Sequence, residues 1–169
     1  MGEYFELTFF SPACGANGMN DKKNILEVLG LAEGRNLLTR HTYPLFENRE
    51  VLFDVFQEPN FCEYRICLSD FVITRENFHQ KERQLLQLAD ICFSRIDRLL
   101  FATGIYELTY YFTNSITEIE SFDKGILTKF PFIFFRNRNK YDLVPTDRYN
   151  DTICVLNTGG DVQDIFSDM

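Results

Sequence analysis

The stretch EVLFDVFQEPNFCEYRICL, residues 50–68, holds two alternating runs separated by a polar turn. In the first run Val51, Phe53 and Val55 fall on one side. In the second, Cys62, Tyr64, Ile66 and Leu68 alternate with Glu63 and Arg65. Successive side chains of a strand point to opposite faces, so each run predicts a strand, Glu50 to Gln57 and Phe61 to Leu68. Pro59 and Asn60 supply the turn, and two alternating strands joined so closely read as a hairpin or meander.

Working outward toward the N-terminus, Tyr4 to Phe10 alternates Phe5, Leu7 and Phe9 with Glu6 and Thr8, the pattern of a half-buried strand. Ser11 to Asn20 carries Pro12, Gly15 and Gly18 and reads as a loop. Asn20 or Asp21 caps a short helix to about Leu29, with Ile25, Leu26 and Leu29 on one face and Gly30 as its stop. Leu37 to Tyr43 is a further strand candidate.

On the C-terminal side, Phe78, Leu85, Leu88, Ala89, Cys92, Phe93, Ile96, Leu99 and Leu100 recur at three- and four-residue spacing. That stripe predicts one long helix from about Thr74, its N-cap, to Ala102, with Gly104 as the C′ stop. Glu82, Arg83, Asp90, Arg95 and Asp97 are assigned to the rest of its surface. Ile105 to Phe112 predicts an aromatic strand, Thr117 to Thr128 a short helix, and Phe132 to Phe135 a buried strand. Arg136 to Asp151 reads as a long polar loop and Thr152 to Leu156 as a last strand. Gly159-Gly160 precedes an acidic segment, Asp161 to Asp168. Strands in runs with one dominant helix give an α+β class: a largely antiparallel sheet, one long helix, and one or two short helices on one face.

The 169 residues fit a single globular domain, residues 1–169, since a domain takes roughly 100–200 residues. A net charge of −8 repels phosphate backbones and anionic lipid, which argues against a nucleic-acid or membrane partner and for a basic protein one. The five cysteines form no close-spaced framework and are expected to be reduced. The opening Met1-Gly-Glu-Tyr-Phe-Glu6 shows no secretory leader, and no run approaches a membrane span of ~20 apolar residues. Together these predict a cytoplasmic protein.

The sequence offers little catalytic chemistry. His41 and His79 lie far apart, and alternation sets Cys62 and Cys67 on opposite faces of one strand, so no metal site is expected. Cys14-Gly-Ala-Asn-Gly18 lies between a strand and a helix but lacks both nucleotide-binding glycine patterns, and no cofactor is expected. Glu118, Glu120 and Asp123, like Asp161, Asp164 and Asp168, read as solvated carboxylates rather than an acid–base pair. Arg136, Arg138, Lys140 and Tyr141 make a small basic patch, outweighed by the acidic whole. The tyrosine-rich strand sets Tyr106, Leu108, Tyr110 and Phe112 on one face and Glu107, Thr109 and Tyr111 on the other. Tyrosine beside exposed carboxylates suits a partner surface, and a buried β core would take the same residues.

The opening Tyr4-Phe5-Glu6-Leu7-Thr8-Phe9, the segment Ala102-Thr103-Gly104-Ile105-Tyr106-Glu107-Leu108 and the run Phe130-Pro131-Phe132 resemble, in general character, the immunity proteins that neutralise bacterial polymorphic toxins. The resemblance rests on no motif with a defined role and carries no functional residue over. It implies a cytoplasmic inhibitor that blocks a cognate, basic toxin domain by direct binding. Glu107, Tyr111, Glu118, Glu120 and Asp123 are the expected contact residues. The alternatives are a small enzyme with its site near the Cys14–Gly18 loop and the Tyr106 strand, or a phage-borne or regulatory binding domain.

Overall fold

The computed structural model describes residues 4–12, 18–30, 50–57, 61–106, 130–136 and 144–157. In chain order these form β1 (Phe5–Pro12), α1 (Gly18–Leu29), β2 (Val51–Gln57), β3 (Phe61–Leu68), α2 (Phe78–Arg95), β4 (Phe101–Tyr106), β5 (Phe132–Arg136), β6 (Asp147–Tyr149) and β7 (Thr152–Leu156). The strands make one sheet in the order β2-β3-β1-β4-β5-β7-β6, with every neighbouring pair antiparallel. The class is α+β, and the residue 50–68 hairpin is present as β2 paired to β3.

Register explains the core. Leu7 lies opposite Ile66 on one side and Gly104 on the other, and Gly104 lies opposite Phe132. Residues directly opposite share a face, so Phe5, Leu7, Phe9, Tyr64, Ile66, Leu68, Ala102, Phe132, Phe134 and Cys154 form one continuous surface. Both helices bury their stripes against it: Ile25, Leu26 and Leu29 from α1, and Leu85, Leu88, Ala89, Cys92 and Phe93 from α2. Gly104 sits where a Cβ would come within 2.9 Å of the Phe5 ring and 3.1 Å of Phe132 Cβ. Gly30 closes α1 at φ 69°, the left-handed conformation for which glycine pays no Cβ penalty.

Four expectations need correction. First, α2 has 18 residues and stops at Arg95 instead of running to Ala102. Ile96 turns extended, Leu100 N–H donates to the Phe10 carbonyl, and Phe101 then pairs with Phe10, so strand pairing captures the chain. Gly104 is accordingly a strand residue, not a helix stop. Asn77 is the N-cap, while Thr74 Oγ1 accepts its N–H at 3.1 Å.

Second, β1 is not half-buried. Phe10, Phe101, Ile133, Phe135 and Ile153, all on the sheet's second face, are buried as well. Third, the stretch read as a loop from Arg136 to Asp151 contains β6, a three-residue edge strand joined to β7 through Asn150 at φ 51°. Fourth, Cys62 is disulfide-bonded, whereas Cys67, Cys92 and Cys154 are free thiols. Alkylation under denaturing, non-reducing conditions followed by mass mapping is expected to label those three and leave Cys62 unlabelled. Label on Cys62 in freshly prepared protein would remove the disulfide.

The Leu37–Tyr43 strand, the Thr117–Thr128 helix, the far end of the Ile105–Phe112 strand and the Asp161–Asp168 segment lie outside the described residues.

Candidate functional site

Three polar clusters and one groove hold the described chemistry. The first joins three elements on the helix-covered face. Asp21 lies in the first turn of α1, where a carboxylate suits the helix dipole. Tyr64 Oη donates to Asp21 Oδ2 at 2.7 Å, and Arg98, in the turn after α2, pairs through Nη2 with the same oxygen. Tyr64 is wholly buried, and that burial pushes its phenol pKa up, with a Ser11 hydrogen bond pulling the other way. The phenol therefore stays a donor. This cluster is a tie between α1, β3 and the α2–β4 turn.

The second lies on the opposite face. Arg65 Nη2 pairs with Glu63 at 2.9 Å, its Nε lies 3.8 Å from Glu6, and its guanidinium stands 4.4 Å over the Phe56 ring. Thr8 faces Arg65 in one register and Thr103 in the other. Among the described residues, the buried Thr8 and Thr103 hydroxyls have no hydrogen-bond partner. Cys67, at the edge of this cluster, is pushed up to about 12, by burial first and by Glu6 second. It is a thiol at neutral pH, and thiols are poor nucleophiles.

The third fastens α2 to the β6–β7 hairpin. Arg83 pairs with Asp147 at 3.1 Å, donates to the Arg148 carbonyl at 2.5 Å and lies 5.0 Å over the Tyr149 ring. Asp90 accepts from Asn150 Nδ2 at 3.0 Å and Thr152 Oγ1 at 2.8 Å. Glu82, only 2% exposed, has Oε2 at 3.1 Å from Thr146 Oγ1 and 3.9 Å from Cys154 Sγ. Burial raises the Glu82 pKa and also raises that of the Cys154 thiol well above its ordinary value.

The groove, about 600 Å³, runs between α1 and α2 and is lined by Asn24, Glu27, Val28, Ile91, Ser94 and Arg95. It offers one acid, one base and two apolar side chains on an outward-facing surface. Ser94 Oγ is already bonded to the Ile91 carbonyl at 2.8 Å.

No family model, curated protein or solved structure matches this chain. Its own residues therefore carry the reading. The expected contact residues Glu107, Tyr111, Glu118, Glu120 and Asp123 lie outside the described residues, as do Cys14 and His41. Tyr106 is half-buried at the end of β4, and its hydroxyl accepts the Ile73 N–H at 3.1 Å. His79 is exposed, with its ring 3.8 Å from that of Phe78. Arg136 of the basic patch pairs with Asp97 at 3.4 Å and donates to the Phe93 carbonyl. Among the described residues no group of three or more His, Cys, Asp or Glu is placed to hold a metal. Nor is any helix among them long and apolar enough to cross a membrane.

Glu82, expected on the polar surface of the helix, is buried, Asp21 was expected only as a helix cap, and no polar role was expected of Tyr64 and Arg98. Glu82 had a usable signal: it is four residues after Phe78 and three before Leu85, on the buried stripe itself. The Asp21–Tyr64–Arg98 tie had none, because its members come from three separated elements.

Proposed function

We propose that the chain is a protein-binding inhibitor of the immunity type, neutralising a cognate basic toxin domain by direct contact. The observation that carries this reading is how the charged groups are distributed. Among the described residues, the buried carboxylates are taken up internally: Asp21 and Glu82 in contacts that join elements of the fold, and Glu63 in a pair with Arg65 within β3. Glu27, Asp54, Asp70, Glu76, Asp97 (paired to Arg136) and Asp151 are exposed on a chain of net charge −8. Such a surface attracts a basic partner at long range.

The contact face is proposed to centre on Glu107, Tyr111, Glu118, Glu120 and Asp123, with the protein acting in the cytoplasm. The Cys62 disulfide pulls against that compartment, since disulfides are rare in reducing ones. The small-enzyme alternative draws less support, because Tyr106 already holds the end of β4 to the segment before α2.

Reversing Glu118 and Glu120 to lysine is expected to slow association with the product of the neighbouring open reading frame by roughly tenfold at low salt. The loss should shrink as salt rises, because screening already weakens long-range attraction there. Stopped-flow binding across a salt series reads this, with circular dichroism as the folding control. An on-rate indifferent to both salt and charge reversal would remove the electrostatic part of the proposal.

A further inference from the structure

Thr146 has one hydroxyl proton and too many acceptors. Its Oγ1 lies 3.1 Å from Glu82 Oε2 and 3.2 Å from the Cys154 carbonyl oxygen, and it also accepts the Leu156 N–H at 3.0 Å. A carboxylate only accepts and a carbonyl only accepts, so an ionised Glu82 leaves one of those two contacts as two oxygens without a proton between them. A protonated Glu82 resolves the count. Its O–H donates to Thr146 Oγ1, Thr146 donates to the Cys154 carbonyl, and Leu156 N–H donates to Thr146, so every contact has its proton.

We propose that Glu82 is carried as a neutral carboxylic acid that locks α2 to the β6–β7 hairpin, and that its ionisation loosens this edge of the sheet. The groups facing it are His79 on α2, Asp147 on β6 and the Cys154 thiol on β7, with the neighbouring Arg83 already paired to Asp147. Burial and the nearby Asp147 favour the neutral form, and His79, with the hydrogen bonds that Thr146 and Cys154 can donate to an ionised carboxylate, opposes it. Glu82 is 2% exposed, so ionisation places a charge where little water reaches it. The proton leaves to solvent, and Thr146 must then choose between Glu82 and the Cys154 carbonyl. β6 is a three-residue edge strand, so losing one contact there is felt locally.

The sign follows from linkage. The folded state keeps a proton that the unfolded chain releases near the ordinary value of 4.5. Stability from this group is therefore full below that pH and falls as pH rises through the folded pKa. Glu82→Gln keeps a donor toward Thr146 and cannot ionise.

Urea unfolding of both proteins between pH 4 and 8 tests the proposal. The wild-type unfolding constant is expected to grow relative to the variant's by roughly tenfold per pH unit across the window in which only the unfolded chain is ionised. A flat ratio overturns it. Carbon-13 carboxyl NMR on the wild type keeps the test alive if the variant does not fold. The Glu82 resonance should stay at its acid position after the surface glutamates have titrated, and titration alongside them overturns the proposal. Protection of the Thr146 and Leu156 amides, taken relative to their intrinsic exchange at each pH, should fall through the same titration in the wild type and not in Glu82→Gln, and protection that ignores it removes the loosening.

Discussion

Replacing Phe93 with alanine is expected to destabilise the protein by about 3–5 kcal/mol, the cost of deleting a buried aromatic ring and leaving a cavity. Phe93 has no exposed surface, and its ring meets Phe9 of β1 edge-on, with centroids 5.4 Å apart. Its carbonyl also accepts from Arg136 at the end of β5. One residue thus fixes α2 to two strands of the sheet. Urea denaturation with the wild-type slope retained is the measurement. A loss under about 1 kcal/mol would mean that this helix face is not packed on β1.

Asp21→Ala is expected to cost about 2–3 kcal/mol, because it removes the acceptor of the Tyr64 O–H in the core and takes the counter-charge from Arg98. Tyr64→Phe should cost less, about 1 kcal/mol, since Arg98 still neutralises the carboxylate. The two differ in alkali. The phenol pKa is raised above 10.0 in the folded protein by burial, so the unfolded chain loses its proton first. Stability from Tyr64 is present below that value and falls as pH rises past it. Tyr64→Phe is expected to lack this alkaline loss, and unfolding curves at pH 9 and 11 read it. Equal pH dependence in the two proteins would show that the phenol is not the group responsible.

The legibility of this fold followed the strength of local pattern. The hairpin, β1 and α1 each combine clean periodicity with a turn or a glycine stop, and β7 is a short apolar run, so sequence and structure agree within a few residues. The end of α2 was not legible. Ile96 and Leu99 continue the helical spacing and are buried, yet they are buried in the turn that leads into β4. Helical period alone does not separate a buried turn from another helical turn when a distant strand, here β1, competes for the chain.

β6 was invisible for a different reason. Three residues at an exposed edge carry no alternation, and what holds them is tertiary: Arg83, Asp90 and Glu82 reaching from α2. The second face of the sheet was missed because Glu6 and Thr8 alternate with Phe5, Leu7 and Phe9, the mark of a half-buried strand, although Thr8 and Phe10 on that other face are buried too. The proposed contact residues were chosen for composition, tyrosine beside carboxylate. The polar ties that the structure displays depend on elements meeting across many residues, which composition does not encode.

The proposed function meets its most direct test in a titration of the neighbouring open reading frame's product with this protein, its toxicity or enzymatic activity followed at each ratio. Inhibition by direct contact predicts that activity falls in step with added protein and is abolished near one equivalent. A Glu118→Lys, Glu120→Lys variant should reach the same endpoint more slowly. Full activity at a several-fold excess of folded protein, with no complex on size-exclusion chromatography, would contradict the account.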